Sequence, residues 1–289
     1  MRGLHLTDRE DSIVRGFIFD MDGTLAVGRP DSSGFALLPG VREFIAELRI
    51  RRVPLVVFTN GTAHPPARYI GNLAAAGLTL DPREMMTPSS VAADFFVSSA
   101  FSKVLVLGGD GVSAPLVEAG IAVLRPGEVH NPDAVYDAVY IGWHPDFRLG
   151  DITTAVDAVM AGIPIYVSSD VPFFYTCEGR TLGISGMIAA AIRNATGHRA
   201  EVIGKPSAIA AAMAARRLGC DIKQVAIVGD DPQLETAMAR QNGGVGIGVT
   251  SGLTDRAAWA AQPPPRRAHH VVDRIDEIAT RGLVQLEGR

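Results

Sequence analysis

The sequence predicts an α/β protein: a Rossmann-like parallel sheet with helices on both faces, plus a smaller inserted α/β domain. Two observations carry this. Short β-branched apolar runs alternate with Ala-, Leu- and Arg-rich helical stretches along the chain, a pattern that calls for parallel strands joined by crossover helices. The first run, Phe17-Ile-Phe-Asp20-Met-Asp22-Gly23-Thr24-Leu25, ends on two carboxylates, and open α/β sheets collect ligands at the carboxyl ends of their strands.

In order, a strand at Gly16–Phe19 precedes a helix at Gly40–Arg51. A strand at Val53–Phe58 tolerates Pro54 because a ladder bond can be missing near its start. Pro65-Pro66 then favours a helix start, and the helix runs over Pro66–Ala76. A helix at Ser89–Ser99 precedes strand Lys103–Leu107 and helix Ala114–Ala119. Strand Ala138–Ile141 pairs with helix Gly150–Ala161, and strand Ile163–Val167 with helix Ser185–Thr196. Strand Glu201–Ile203 leads to helix Ser207–Leu218, and Val225–Val228 to Pro232–Gln241. Strands at Gly244–Val249 and His270–Val272 come last, with Pro263-Pro264-Pro265-Arg266-Arg267 as a rigid surface spacer.

The 289 residues, 47% of them hydrophobic, suffice for one large domain or two moderate ones. A net charge of −4 offers no basic footprint, so nucleic acid is not an expected partner. An anionic substrate would be attracted locally, by a metal or a few cations. Cys177 and Cys220 are far apart and form no C-x-x-C, which fits ordinary semi-buried thiols in a reducing cytosol. Met1–Val14 has no apolar h-region, so no signal peptide is expected. No apolar run approaches the roughly 18 residues of a membrane span. The expectation is a cytoplasmic protein without a membrane partner.

Two acids at a strand tip repel unless a cation or a proton sits between them, so Asp20 and Asp22 suggest a metal-assisted site. Three further strand ends carry chemistry. Phe58-Thr59-Asn60-Gly61 sets a hydroxyl and successive N–H groups before a helix, a small anion cradle. Gly204-Lys205-Pro206-Ser207 pins a lysine between Gly and Pro, suited to a phosphate oxygen or a carboxylate. Gly229-Asp230-Asp231-Pro232, with Glu235 beyond, adds acids of the hard-oxygen kind that Mg²⁺ prefers.

Taken together, these motifs resemble those of the haloacid dehalogenase (HAD) superfamily: D-x-D-G-T, then Thr/Asn after a strand, then Lys, then G-D with an acid beyond. The gap between the second and third motifs is similar to that of the NagD/p-nitrophenylphosphatase-like branch. Gly142-Trp143-His144-Pro145-Asp146-Phe147, Ser168-Ser169-Asp170 and Gly204-Lys205-Pro206-Ser207 add to that likeness. The resemblance covers Arg15 to the C-terminus. It implies a catalytic core at residues 1–99 and 197–289, with an inserted α/β cap at 100–196.

It also implies Mg²⁺-dependent hydrolysis of a small-molecule phosphate monoester. Asp20 would be the nucleophile, forming an aspartyl-phosphate, and Asp22 the general acid/base. The Asp20 carboxylate, the Asp22 main-chain oxygen and Asp230 would hold Mg²⁺. Thr59, Asn60, Gly61 and Lys205 would bind the phosphoryl group, and Asp231 or Glu235 would orient metal-bound waters. Glu235 departs from the commoner Asp. Substrate choice is expected in the cap, at Asp170, Phe173, Phe174 and His144. A homodimer is a further expectation of the resemblance. A phosphotransferase, or a phosphometabolite-binding regulatory module of the same fold, is the alternative; the acid at Asp22 favours ester chemistry over dehalogenation.

Two glycine-rich runs read differently. Gly108-Gly109-Asp110-Gly111 lacks the full phosphate-loop spacing and reads as a tight βα turn. Gly243–Gly248 lies along a strand with no helix after it, so it reads as a small-residue strand. His269 and His270 are adjacent in an extended run and point to opposite faces, which argues against a shared ion. His64 reads as a capping or exposed residue.

Overall fold

The computed structural model describes residues 13–28, 34–128, 135–144, 146–176 and 179–286. The expectations for the amino-terminal stretch up to residue 12, for Cys177 and for Pro145 lie outside the described residues. In chain order the strands of the two principal sheets are β1 (Gly16–Phe19), β2 (Leu55–Phe58), β3 (Met85–Met86), β4 (Lys103–Leu107), β5 (Ala122–Leu124), β6 (Ala138–Ile141), β7 (Ile165–Val167), β8 (Glu201–Val202), β9 (Val225–Gly229), β10 (Val245–Val249) and β11 (His270–Val272). The main helices are α1 (Val41–Ile50), α2 (Pro66–Ala75), α3 (Pro88–Ser98), α4 (Asp110–Glu118), α5 (Leu149–Met160), α6 (Ile184–Thr196), α7 (Ala208–Leu218) and α8 (Ala237–Asn242).

A six-stranded parallel sheet runs in the order β11-β10-β9-β1-β2-β3, and a five-stranded parallel sheet in the order β8-β7-β6-β4-β5. Successive side chains of a strand face opposite sides, and this alternation builds the layers. Phe17 and Phe19 of β1 enter one apolar cluster, with Phe44 of α1 and Leu73 of α2. Ile18, between them, enters a second cluster. Both faces of β1 are buried, which is why its sequence is continuously apolar.

The second cluster joins the two sheets. It holds Ile18, Val56 and Phe58 from the first sheet, Val104, Val106 and Tyr140 from the second, and residues of α3 and α7 between them. Phe96 of α3 meets Tyr140 edge-on at 5.7 Å and Tyr166 at 5.3 Å. On its other face the second sheet turns Leu105, Leu107, Val139 and Ile141 toward α5 and α6.

Strands β2 and β7 start two residues later than the sequence suggests, because Pro54 and Pro164 have no N–H to donate. Their carbonyls still accept, from Phe17 N at 3.0 Å and Val139 N at 2.9 Å. The short strands β3 and β5, and the hairpin of Phe173–Thr176 with Gly179–Leu182, escape the sequence pattern. The boundary expected at residue 197 does not coincide with a change of sheet: β8 pairs with β7, Tyr166 opposite Glu201. The five-stranded sheet therefore extends to Val202, and Lys205 stands three residues beyond it. Among the described residues, no helix is long and apolar enough to cross a membrane.

Candidate active site

The carboxyl ends of β1, β2 and β9 and the segment after β8 bring the motif residues together. Asp20 continues β1, its N–H donating to Val228 O at 2.8 Å. Its carboxylate is buried and accepts from Lys205 Nζ at 2.5 Å. Lys205 is 1% exposed, and its Nζ also donates to Glu235 Oε1 at 2.6 Å. The ammonium lies 5.5 Å from the Phe58 ring centroid, within cation–π range. Burial alone would lower the Lys205 pKa, but Asp20 and Glu235 outweigh it and hold the group above the ordinary lysine range. The lysine stays charged.

Glu235 is engaged by protein groups at both ends of its carboxylate, Oε1 by Lys205 Nζ and Oε2 by Asp231 N at 3.1 Å, and it is 1% exposed. It holds the lysine ammonium and the Asp231 N–H. Local winding explains this: Pro232–Thr236 forms a π-helical turn ahead of α8, and it carries Glu235 back under β9. Gly229 leaves the room, because a Cβ there would lie 2.1 Å from Glu235 Cγ. Gly229→Ala is expected to destabilise the fold by about 1–3 kcal/mol, as overpacking does, read as a lowered midpoint in thermal unfolding. An unchanged midpoint would mean Glu235 is free to move.

Asp231 Oδ1 accepts from Gln233 N at 2.7 Å and so caps the π-turn. Burial raises its carboxyl. Asp230 packs over two glycines: a Cβ at Gly23 or Gly252 would fall 2.3 or 2.0 Å from its Oδ2. Gly23 needs its freedom for a second reason, its φ of +75°. Leu253 N donates to the same oxygen at 2.7 Å. Burial and then Asp20 push Asp230 up to about 7, against the pull of the Leu253 N–H. Asp22 keeps solvent-accessible surface but is hemmed in by protein; desolvation, then Asp20, pushes it up to about 7, with Lys205 opposing.

On the β2 side, Thr59 is buried and its Oγ1 accepts from Gly61 N at 3.1 Å. The Gly61 N–H, expected to cradle phosphate, is thus turned inward to a hydroxyl. The Asn60 side chain is committed to the main chain of Lys205: Oδ1 accepts from Lys205 N at 2.9 Å, and Nδ2 donates to Lys205 O at 3.0 Å. Sequence reasoning missed Tyr69 of α2, whose hydroxyl packs against Gly61 and bonds to the His64 main chain. Burial, then Asp22, pushes it up to about 12. Its helical spacing is that of any core residue, so nothing in the sequence separates it from packing.

The other expected specificity residues stand at the tips of the second sheet. His144 follows β6, with Nε2 3.8 Å from Asp151 Oδ2. Asp170 follows β7, with Oδ2 3.9 Å from Arg199. Phe173 and Phe174 are exposed on the hairpin. These tips adjoin the β2 loop: Trp143 N donates to Thr62 Oγ1 at 3.0 Å, and a Cβ on Gly111 would lie 2.4 Å from Thr62 O. The Gly108–Gly111 turn is thus a flat seat for that loop, and α4 starts directly from it.

Among the described residues, Asp20 and Glu235 contact the Lys205 ammonium, and Asp22, Asp230 and Asp231 lie within its electrostatic reach. Among the described residues, no three His, Cys, Asp or Glu side chains already converge on a common metal position. The expected donor set does not require that, since it combines two carboxylates with a main-chain carbonyl. The excess of acid, with Asp20 raising both Asp22 and Asp230, fits a hard divalent cation that keeps several waters.

A buried lysine–carboxylate cluster thus stands at the strand ends of an open α/β sheet, where such folds gather their ligands. Comparison with known proteins assigns the family. Residues 17–122 match the family profile described as haloacid dehalogenase-like hydrolase, and residues 202–278 match a second, HAD-hydrolase-like profile. The acid sugar phosphatase of Staphylococcus aureus is 27% identical over 217 residues, 75% of this chain and 78% of the relative. In fold, the chain is similar to NagD from E. coli (TM-score 0.79, 21% identity, 92% of this chain and 98% of the other). It is similar also to a magnesium complex of the glycerol phosphate phosphatase of Mycobacterium tuberculosis (TM-score 0.76, 22% identity, 90% and 74%). The chain belongs to the haloacid dehalogenase-like hydrolases and is an enzyme of that family.

Proposed function

We propose that this chain is a Mg²⁺-dependent phosphatase that hydrolyses small phosphate monoesters through an aspartyl-phosphate on Asp20. The observation that carries this reading is the buried Asp20–Lys205–Glu235 contact beside Asp22. Lys205 orients the Asp20 carboxylate through its 2.5 Å contact, as a carboxylate nucleophile requires. A carboxyl raised to about 7 suits Asp22 to deliver a proton to a leaving alkoxide and then to take one from the attacking water. The Asp20 carboxylate, the Asp22 main-chain oxygen and Asp230 would hold Mg²⁺. When bound, the ion neutralises phosphoryl oxygens and the crowded acids. Lys205 adds a fixed positive charge where the transferring group gathers negative charge.

The names of the relatives, phosphatases of sugar phosphate and glycerol phosphate, support a small-metabolite ester as substrate. The five-stranded unit acts as the cap in this reading, and a cytoplasmic homodimer is part of the proposal. The test is phosphate release from p-nitrophenyl phosphate and from a panel of sugar phosphates, nucleotides, glycerol phosphate and pyridoxal phosphate. Turnover is expected with Mg²⁺, to be lost on chelation and to return when Mg²⁺ is restored. Turnover that persists after chelation would sink the metal assignment. Binding of one phosphometabolite without turnover would favour the regulatory module.

A further inference from the structure

Between Val202 and Ser207 the chain passes from the five-stranded sheet to α7, and three segments converge there. Ile203 N donates to Val167 O at 2.8 Å and Gly204 N to Ser168 O at 3.0 Å, so pairing with the second sheet continues through Gly204. At the next residue the partner changes. Lys205 N and O are both taken by the Asn60 carboxamide, at 2.9 and 3.0 Å. A side-chain amide has the same donor and acceptor as a peptide unit, so Asn60 acts as one rung of a strand ladder. The fit is close: a Cβ on Gly204 would lie 2.4 Å from Ser168 O, 2.8 Å from Asn60 Oδ1 and 3.0 Å from Pro88 Cγ.

We propose that Asn60 is a positioning residue for Lys205: its carboxamide anchors the lysine main chain while Asp20 and Glu235 anchor the ammonium. The lysine is thus held at both ends. Its main-chain end is fixed where the second sheet, the β2 loop and α3 meet, so the placement of that sheet bears on the placement of the ammonium. The carboxamide oxygen and one of its two N–H donors are committed to Lys205, so the Asn60 side chain acts on the site through the lysine main chain. A misplacement of about 1 Å can cost on the order of 100-fold in rate, so the anchor matters to catalysis even without touching substrate.

This inference rests on the phosphatase reading, and a double-mutant cycle on kcat/KM for p-nitrophenyl phosphate tests it separately. Asn60→Ala and Glu235→Gln each loosen one end of Lys205, and each is expected to lower kcat/KM by about tenfold or more. Because both act through one group, the double variant is expected to fall well short of the product of the two losses, as coupled sites do. Asn60→Ala is also expected to leave the Mg²⁺ concentration for half-maximal rate unchanged. Losses that multiply would overturn the proposal in favour of direct phosphate contact, and so would a parallel loss of Mg²⁺ affinity. Thermal unfolding checks that each variant is folded, and Lys205→Arg replaces Glu235→Gln in the cycle if the latter is not. A wild-type enzyme inactive on every phosphate ester would instead remove the phosphatase reading.

Discussion

Asp20→Asn is expected to lower turnover of p-nitrophenyl phosphate by at least about 10⁴-fold, the scale on which removal of a nucleophile acts, and to leave the fold intact. An amide oxygen can still accept from Lys205 Nζ, now at 2.5 Å from Asp20 Oδ1, so the packing at the tip of β1 survives. What disappears is the negative charge that would attack phosphorus. That same charge raises Asp22 and Asp230. Its removal relieves that repulsion but also takes one of two counter-charges from Lys205, so the thermal midpoint without metal is expected to stay near that of the wild type. Stopped turnover in a protein of undiminished stability separates a chemical role from a structural one. Near-wild-type hydrolysis would rule out the nucleophile assignment.

Lys205→Met is expected to damage both activity and stability. Methionine fills much the same space but leaves Asp20 and the 1%-exposed Glu235 without their cation. Breaking a buried ion pair from one side costs about 3–5 kcal/mol, roughly 10 °C in midpoint for a chain of this size. Turnover should fall by about 10²–10³-fold or more, as when a fixed charge-stabilising group is lost. Pairing it with Glu235→Leu sorts the two effects. Replacing an ion pair by apolar groups is often close to neutral. The double variant should therefore regain the part of the midpoint lost through Glu235, with Asp20 still lacking its cation, and none of the rate. If the double variant recovers activity, Lys205 serves only to balance Glu235.

The sequence carried much of this site openly because strand-end chemistry leaves a linear signature. Asp20, Thr59 and Asp230 each follow an apolar run, legible because both faces of their strands are buried. Lys205 instead follows the short β8, whose residues are exposed and half-buried. The contacts that assign roles are less visible, since they join residues far apart in the chain. Asn60 and Lys205 are 145 positions apart, and Lys205 and Asp20 are 185. The expectation that Asn60 and Gly61 cradle phosphate followed from their place before a helix. The structure instead gives the Asn60 amide to the lysine main chain and the Gly61 N–H to Thr59.

Glu235 shows why a substitution one methylene long could not be read in advance. Its effect depends on a π-turn and on the space over Gly229, and neither has a periodic signal. The two-residue strand β8 is too short to specify a sheet, and only its pairing with Tyr166 and Val167 assigns it to the second.

The chain by itself determined the α/β class, the acids at the strand tips and the lysine between Gly204 and Pro206, because burial periodicity and residue chemistry are written locally. The tertiary structure decided which carboxylates hold Lys205, which sheet leads into it and what Asn60 does. Those outcomes depend on atoms brought within 3 Å by the packing of two sheets, and no local pattern encodes that distance.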